Sequence, residues 1–135
     1  MRVTLRRRLA APSRPVRGTE TILLVEDEEG VRRVLETMLQ RHGYHVLSSG
    51  SSAEALAAAE KHGGAIHLLV TDVVMPGMSG RKMAEFLVER RPDMRVLYVS
   101  GYGDPAPQSG AAFLQKPFST QELALKIREV LREPG

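Results

Sequence analysis

Charged residues stand at the ends of three short apolar runs, each of which is typical of a β-strand. Glu26 and Asp27 follow the first run, and Asp72 closes the second. Lys116 comes just after the third. In an open parallel sheet, ligands bind outside the carboxyl ends of the strands. We therefore expect the acidic pair, the single aspartate and the lysine to converge on one pocket.

The carboxylates of this group repel one another unless a cation keeps them ionised together. Mg²⁺ suits such a place, because it prefers a few oxygen ligands and retains several of its waters. Glu26, Asp27 and Asp72 are the candidate side-chain ligands, and the backbone carbonyl of Val74 is a candidate further ligand. The sequence therefore predicts a magnesium site.

Asp72 is also a candidate nucleophile toward a phosphoryl group, since an aspartyl phosphate is a known covalent intermediate. Mg²⁺ would then neutralise charge on the transferring oxygens, and Lys116 would pair with another of them. Ser100, which ends a further apolar run, could donate a hydrogen bond to the third oxygen. Each residue alone also fits a simpler role as a turn, a helix cap or a solvated charge. Their shared placement at strand ends favours a phosphoryl-transfer site.

The elements that position these residues alternate along the chain between apolar strands and helical periods. This alternation is typical of βαβ units and predicts a parallel sheet covered on both faces. A helix is predicted after the first, second, third and fifth strands, and two capping boxes, Ser51 with Glu54 and Ser119 with Glu122, predict helix starts. The predicted strands are residues 22–25, 44–47, 66–71, 96–99 and 111–115.

The connection between the fourth and fifth predicted strands is unusually short. Residues 101–112 reach only the minimum of about 10–12 residues that a crossover with its helix requires. Two prolines and three glycines in this segment further disfavour a helix. We predict a loop, or at most one turn, where another helix would be expected.

Composition limits the class of protein. The 135 residues fit one domain with its own core, and the absence of cysteine excludes disulfides and thiolate sites. No apolar stretch approaches the roughly 18 residues of a membrane span. We therefore expect no membrane insertion and a cytoplasmic location.

The net charge is unevenly distributed along the chain. It is +3 overall, but the first 19 residues contain six arginines and no acid, and removing those six charges leaves −3 for residues 20–135. Proline and glycine also disfavour regular structure in the first segment. We predict that residues 1–19 are a disordered basic leader or linker and that residues 20–135 form the domain. Nucleic-acid binding through the arginines is a less favoured alternative.

Four motifs together resemble the receiver domain of two-component response regulators, the CheY-like family. They are Leu24-Val25-Glu26-Asp27-Glu28, Thr71-Asp72-Val73-Val74-Met75-Pro76-Gly77-Met78-Ser79-Gly80, Ser100-Gly101 and Lys116-Pro117-Phe118. The similarity covers about residues 20–132. It implies an α/β, flavodoxin-like, doubly wound sheet of five parallel strands in the order 2-1-3-4-5. The helix before the fifth strand, helix 4 of the family, would be shortened or missing.

The resemblance also implies a role for each site residue. Asp72 would accept a phosphoryl group from a histidine kinase or a histidine phosphotransfer protein, and Asp27 and Asp72 would ligate Mg²⁺ with assistance from Glu26. Ser100 and Lys116 match the positions that contact the phosphoryl group. The Lys116-Pro117 peptide bond matches one that is commonly cis in the family. The domain would then signal by a conformational change or pass the phosphoryl group onward, as a monomer or weak homodimer.

Two features depart from the family pattern. Ser100 and Phe113 match a hydroxyl residue and an aromatic residue that move together when the family signals. Phe113 lacks a hydroxyl group, so we expect a reduced swing, and a core phenylalanine without a switching role is the alternative. The curtailed segment 101–112 also changes the surface through which the family usually signals.

The resemblance leaves the context of the domain open. Gly18-Thr19-Glu20-Thr21-Ile22 is similar to the start of receivers at the C-terminal ends of hybrid histidine kinases. Because Leu131 is four residues from the end of the sequence, we expect no effector domain after it. A stand-alone regulator and a detached hybrid-kinase receiver both fit.

Two rival functions fit the residues less well. A Mg²⁺-dependent phosphatase with an aspartyl nucleophile needs a second acid to protonate the leaving group, but Val74 stands two residues after Asp72. A flavodoxin-like nucleotide carrier would need a phosphate-cradling loop after the first strand, where four consecutive acids would instead repel a phosphate. We therefore expect a signalling module that catalyses only its own phosphorylation and dephosphorylation, and not a separate enzyme.

Overall fold

The computed structural model describes residues 18–101, 103–104 and 110–132. Five strands and four helices lie within these residues. In chain order they are β1 (Thr21–Val25), α1 (Glu29–Arg41), β2 (His45–Ser49), α2 (Ser52–Lys61), β3 (Leu68–Asp72), α3 (Gly80–Arg90), β4 (Arg95–Ser100), β5 (Ala112–Gln115) and α4 (Thr120–Arg132). Apart from its last two residues, the predicted leader 1–19 lies outside the described residues, so its disorder stays a prediction.

The five strands form one parallel sheet in the order β2-β1-β3-β4-β5. This is the predicted 2-1-3-4-5 order, and the predicted fold class is confirmed. Val25 is level with Thr71 on one side, and Asp72 is level with Val99. The carboxyl ends of β1, β3 and β4 therefore lie side by side at one end of the sheet.

The core has two halves because β1 is apolar on both of its faces. Ile22 and Leu24 pack with α1 and α4 on one side of the sheet. Leu23 and Val25 pack with α2 and α3 on the other side. A near-continuous apolar strand is typical of a parallel sheet covered by helices on both faces. β1 is therefore an inner strand that is buried on both faces, and the acidic loop follows its carboxyl end.

Both predicted capping boxes stand at helix starts. The backbone N–H of Glu54 donates to the Ser51 hydroxyl at 3.1 Å, ahead of α2. At α4 the box is reciprocal, since Glu122 N–H donates to the Ser119 hydroxyl at 3.0 Å and Ser119 N–H donates to the Glu122 carboxylate at 2.8 Å. The predicted starts of these two helices are confirmed.

All five predicted strands differ from the structure by one or two residues at one or both ends, and the two-residue differences are at β2 and β3. β2 runs from His45 to Ser49 and not over residues 44–47, and β3 begins at Leu68 and not at residue 66. Tyr44 is buried but its N–H closes the turn after α1 by donating to Leu39, whereas Ser49 continues the pairing with β1. Strand limits follow the backbone pairing, which hydropathy alone does not reveal.

The connection between β4 and β5 contains no helix among its described residues, Gly101, Gly103, Asp104, Gly110 and Ala111. Asp104 instead closes a turn with Gly101, with its N–H donating to the Gly101 carbonyl at 3.1 Å. Tyr102 and residues 105–109 lie outside the described part. In the described segments of the chain, no helix has the length and apolar character needed to cross a membrane.

Candidate functional site

Asp72 is the last residue of β3, and only 8% of its surface is exposed. Its backbone carbonyl accepts a hydrogen bond from the Thr71 hydroxyl at 3.0 Å. The first residue of α3, Gly80, packs so closely against that carbonyl that a Cβ atom there would overlap it. The backbone behind Asp72 is therefore fixed by the next helix.

Glu26 and Asp27 begin the loop that follows β1. Glu26 is 2% exposed, and its N–H donates to the Ser49 carbonyl at 3.1 Å, which extends the β1–β2 pairing by one residue. One carboxylate oxygen, Oε2, accepts the backbone N–H of Glu28 at 3.0 Å. Asp27 is exposed. The loop therefore holds one buried acid and one acid that faces solvent.

Lys116 joins the two buried acids across the sheet. Its Nζ lies 3.2 Å from Oδ1 of Asp72 and 3.3 Å from Oε1 of Glu26. Its backbone N–H donates to the Ser100 carbonyl at 2.8 Å, which ties the loop after β5 to the end of β4. The Lys116–Pro117 peptide bond is cis, as the resemblance implied. The lysine thus reaches both acids from the sheet edge opposite β2.

The close charges perturb one another. Burial, followed by the negative charge of Glu26, raises the pKa of Asp72 to about 7, although Lys116 acts in the opposite direction. Burial works against the charged form of Lys116, but the carboxylates of Asp72 and Glu26 outweigh this effect and raise the pKa of Lys116. A further positive charge at the site would therefore stabilise the ionised form of the carboxylates.

The acidic side chains suit a hard divalent cation. One carboxylate oxygen from each of Glu26, Asp27 and Asp72 lies within 4.8 Å of the others. Among the described residues, this is the one group of at least three potential metal-ligating side chains that lie so close together. Oxygen-only ligands of this charge fit Mg²⁺. Burial and the negative charge of Glu26 raise the pKa of Asp72, and the same two effects make a bound cation favourable.

The remaining predicted site residues lie around this cluster. Ser100 is buried at the end of β4, beside the backbone of Lys116. Val74 is 53% exposed in the loop after Asp72, and the ligand role of its carbonyl stays a prediction. Phe113 is 45% exposed on β5, so the alternative of a core phenylalanine is wrong. Its role as a switch with Ser100 stays a prediction.

Sequence reasoning missed two side chains that support the site from outside. The Arg32 guanidinium on α1 donates to the Glu26 carbonyl at 2.7 Å. The buried Ser52 hydroxyl on α2 donates to the Met78 carbonyl at 2.9 Å, in the loop that follows Asp72. Helical periodicity identifies which face of a helix is apolar, but it does not reveal a polar contact to a distant loop.

A family model described as the response regulator receiver domain matches residues 22–128. Sensor kinase CckA from Brucella abortus (strain 2308) is 39% identical over 122 residues, which cover 86% of this chain and 13% of that kinase. The response regulator receiver protein CpdR from the same organism is 34% identical over 116 residues, which cover 82% of this chain and 95% of CpdR. The chain thus spans a small part of the kinase and nearly all of CpdR.

Comparison with solved structures also finds receiver domains. A response regulator receiver domain protein from Clostridium thermocellum matches with a TM-score of 0.75 and 29% identity, over 83% of this chain and 94% of that one. The receiver domain of the hybrid histidine kinase CckA matches with a TM-score of 0.68 and 35% identity, over 83% of this chain and 99% of that one.

Proposed function

This chain belongs to the response regulator receiver domain family, and we propose that it accepts a phosphoryl group on Asp72. The observation that carries the proposal is the contact of Lys116 with both Asp72 and Glu26, next to Asp27. The two buried carboxylates hold the Lys116 ammonium group at the place where the phosphoryl oxygens would carry negative charge, and there it would stabilise them.

In the proposed reaction, a carboxylate oxygen of Asp72 attacks the phosphorus of a phosphohistidine. The new O–P bond forms as the P–N bond of the donor breaks, and the bonding electron pair returns to the imidazole nitrogen. Asp72 must be ionised to attack. Its pKa of about 7 in the metal-free site is set by burial and by Glu26. A second cation beside Glu26 therefore favours the reactive carboxylate.

Glu26, Asp27 and Asp72 are the residues that would hold Mg²⁺, which when bound neutralises negative charge on the transferring oxygens. Lys116 would move from its contact with Asp72 to one phosphoryl oxygen while remaining near Glu26. Ser100, buried at the end of β4, would donate its hydroxyl hydrogen to another oxygen. These two contacts exist only once the phosphoryl group is present, so they would stabilise the product and signal its formation.

The proposed phosphoryl donor is a histidine kinase or a histidine phosphotransfer protein, which implies a cytoplasmic reaction. The similarity to the sensor kinase CckA and to CpdR favours a role in a phosphorelay, with the output given by a conformational change or by onward transfer. We propose that the domain catalyses only its own phosphorylation and dephosphorylation. The phosphatase alternative lacks an acid at Val74, which stands exposed two residues after Asp72.

The test is the intact mass of the protein after incubation with acetyl phosphate, with and without Mg²⁺. We expect the wild type to gain one phosphoryl group only with Mg²⁺, and Asp72→Asn to gain none. Asp93→Asn is the matched control, because Asp93 lies in the exposed turn between α3 and β4, at the opposite end of the sheet. That variant should be labelled as the wild type is.

Three outcomes would contradict the proposal. Equal labelling of Asp72→Asn and wild type would remove Asp72 from the acceptor role. Sustained hydrolysis of a phosphomonoester without an accumulating adduct would instead favour the phosphatase. A folded wild type that gains no phosphoryl group would indicate a domain that acts by contact alone.

A further inference from the structure

Arg32 is the fourth residue of α1, at the end of its first turn, and it contacts the loop that carries the acidic pair. Its Nη1 donates to the backbone carbonyl of Glu26 at 2.7 Å and is part-buried there. A hydrogen bond from a charged donor at this distance is among the stronger kinds. The neighbouring arginine on the same helix, Arg33, is exposed and pairs only with Glu29 at the surface.

Gly50 supplies the space for the Arg32 guanidinium. A Cβ atom at Gly50 would lie 2.9 Å from Nη1 of Arg32 and 3.5 Å from a carboxylate oxygen of Glu54. The Gly50 N–H donates to that same Glu54 oxygen at 2.8 Å. The loops after β1 and β2 therefore meet around this guanidinium, and an alanine at residue 50 would displace it.

We propose that Arg32 is a positioning residue for the acidic side of the site. The Glu26 carbonyl and the Asp27 amide belong to one planar peptide unit. Holding the carbonyl oxygen of Glu26 therefore fixes the plane from which the Asp27 side chain leaves the backbone. Arg32 touches none of the three carboxylates that would hold Mg²⁺, so it acts through the backbone. The inference rests on the proposed function, because it assigns a supporting residue to the same site.

The sign of the effect separates positioning from simple electrostatics. Removing a positive charge near a cation site strengthens cation binding if only Coulomb attraction matters. Removing a positioning residue weakens binding, because the ligands lose their arrangement. Side chains that support metal ligands from outside typically contribute 10- to 100-fold to affinity. We expect Arg32→Gln to weaken Mg²⁺ binding by about 10-fold, at the low end of that range.

The experiment measures the Mg²⁺ dissociation constant of the full chain from amide resonances in a two-dimensional NMR titration. Arg33→Gln is the matched control, since it removes the same charge from the same helix, and it should bind Mg²⁺ as tightly as the wild type or slightly more so. Arg32→Lys should recover part of the affinity. Gly50→Ala keeps every charge yet should weaken binding, whereas Gly63→Ala, with nothing within 4 Å of the added Cβ, should not.

A second readout distinguishes positioning from general damage to the fold. With acetyl phosphate as donor, Arg32→Gln should need about 10-fold more Mg²⁺ for half-maximal phosphorylation and should reach a maximal rate close to that of the wild type. If the wild type binds Mg²⁺ and Arg32→Gln binds it equally tightly or more tightly, this inference is overturned and the proposed function is not. Failure of the wild type to bind Mg²⁺ would overturn the proposed function and this inference with it.

Discussion

Gly80→Ala tests whether the position of Asp72 depends on the close approach of α3. The φ angle of Gly80 is not in the left-handed region, so its backbone would accept an alanine, and the obstacle is steric alone. The added Cβ would overlap the Asp72 carbonyl and would lie 2.9 Å from the Thr71 hydroxyl. The Asp72 carbonyl belongs to the backbone and cannot rotate away, so the start of α3 or the end of β3 must move.

The magnitude follows from two opposing effects. Overpacking a well-packed position costs about 1–3 kcal/mol, and replacing glycine by alanine at a helix start returns up to about 1 kcal/mol. The net loss of about 1–2 kcal/mol lowers Tm by roughly 4–8 °C for a domain of this size. Misplacement of a reacting group by about 1 Å can cost 100-fold in rate. We therefore expect phosphorylation of Gly80→Ala by acetyl phosphate to be about 10- to 100-fold slower.

Gly30→Ala is the control for this prediction. Gly30 is the second residue of α1, on the acidic side of the site, and no atom lies within 4 Å of the Cβ that alanine would add. We expect this variant to be phosphorylated at the wild-type rate and to be about 0.5 kcal/mol more stable. The two variants are compared by thermal unfolding and by the time course of the phosphoryl mass increase. A Gly80→Ala protein with wild-type Tm and rate would refute the steric argument.

Two further predictions concern the charges of the site. In metal-free buffer the pKa of Asp72 is about 7 in the folded protein, above the ordinary value of 3.8, so the folded state binds more protons between these values and stability falls as pH rises through them. Asp72→Asn should therefore stabilise the protein more at pH 8 than at pH 5, and the gain in the free energy of unfolding should not exceed about 4 kcal/mol. An equal rise in Tm at both pH values would contradict the raised pKa of Asp72. Lys116→Ala should cost roughly 1–3 kcal/mol in metal-free buffer, because it leaves two buried carboxylates without their charged hydrogen-bond donor, and added Mg²⁺ should restore part of the loss. Lys126→Ala, which breaks a surface pair with Glu129, should cost under about 1 kcal/mol, so equal Tm values for the two lysine variants would exclude a special role for Lys116.

The sequence predicted the fold well because its signals are local. The strands of this sheet are short apolar runs, and the capping box at Ser119 lies within four residues of chain. The acidic pair, Asp72 and Lys116 could be placed at one edge because parallel strands share their carboxyl ends. Strand limits at β2 were less predictable, since Ser48 and Ser49 belong to the sheet only through pairing with β1.

Contacts between distant residues could not be predicted from the same signals. Arg128 on α4 pairs with Glu20 before β1 at 2.9 Å and also donates to the Tyr44 hydroxyl at 3.3 Å. Burial acts to raise the pKa of Glu20, but the hydrogen bond from Arg128 helps to lower it overall. In the sequence these residues are an ordinary surface acid, a tyrosine after a glycine and one basic residue among several on a helix. Their association depends on how α4 packs on the finished sheet.

The supporting contacts of the acidic site share one physical logic. The carboxylates of Glu26 and Asp72 repel each other, and Lys116 offsets only part of this repulsion, because the pKa of Asp72 stays raised. Rigidity must come from behind, through the backbone. Arg32 holds the carbonyl of Glu26, and the Gly80 backbone packs on that of Asp72. Ser52 holds the Met78 carbonyl in the loop that leads to α3. Each contact acts on a carbonyl and leaves the carboxylate oxygens free to bind a cation or attack phosphorus, which is why a site built from mutually repelling groups can be arranged before its ligand arrives.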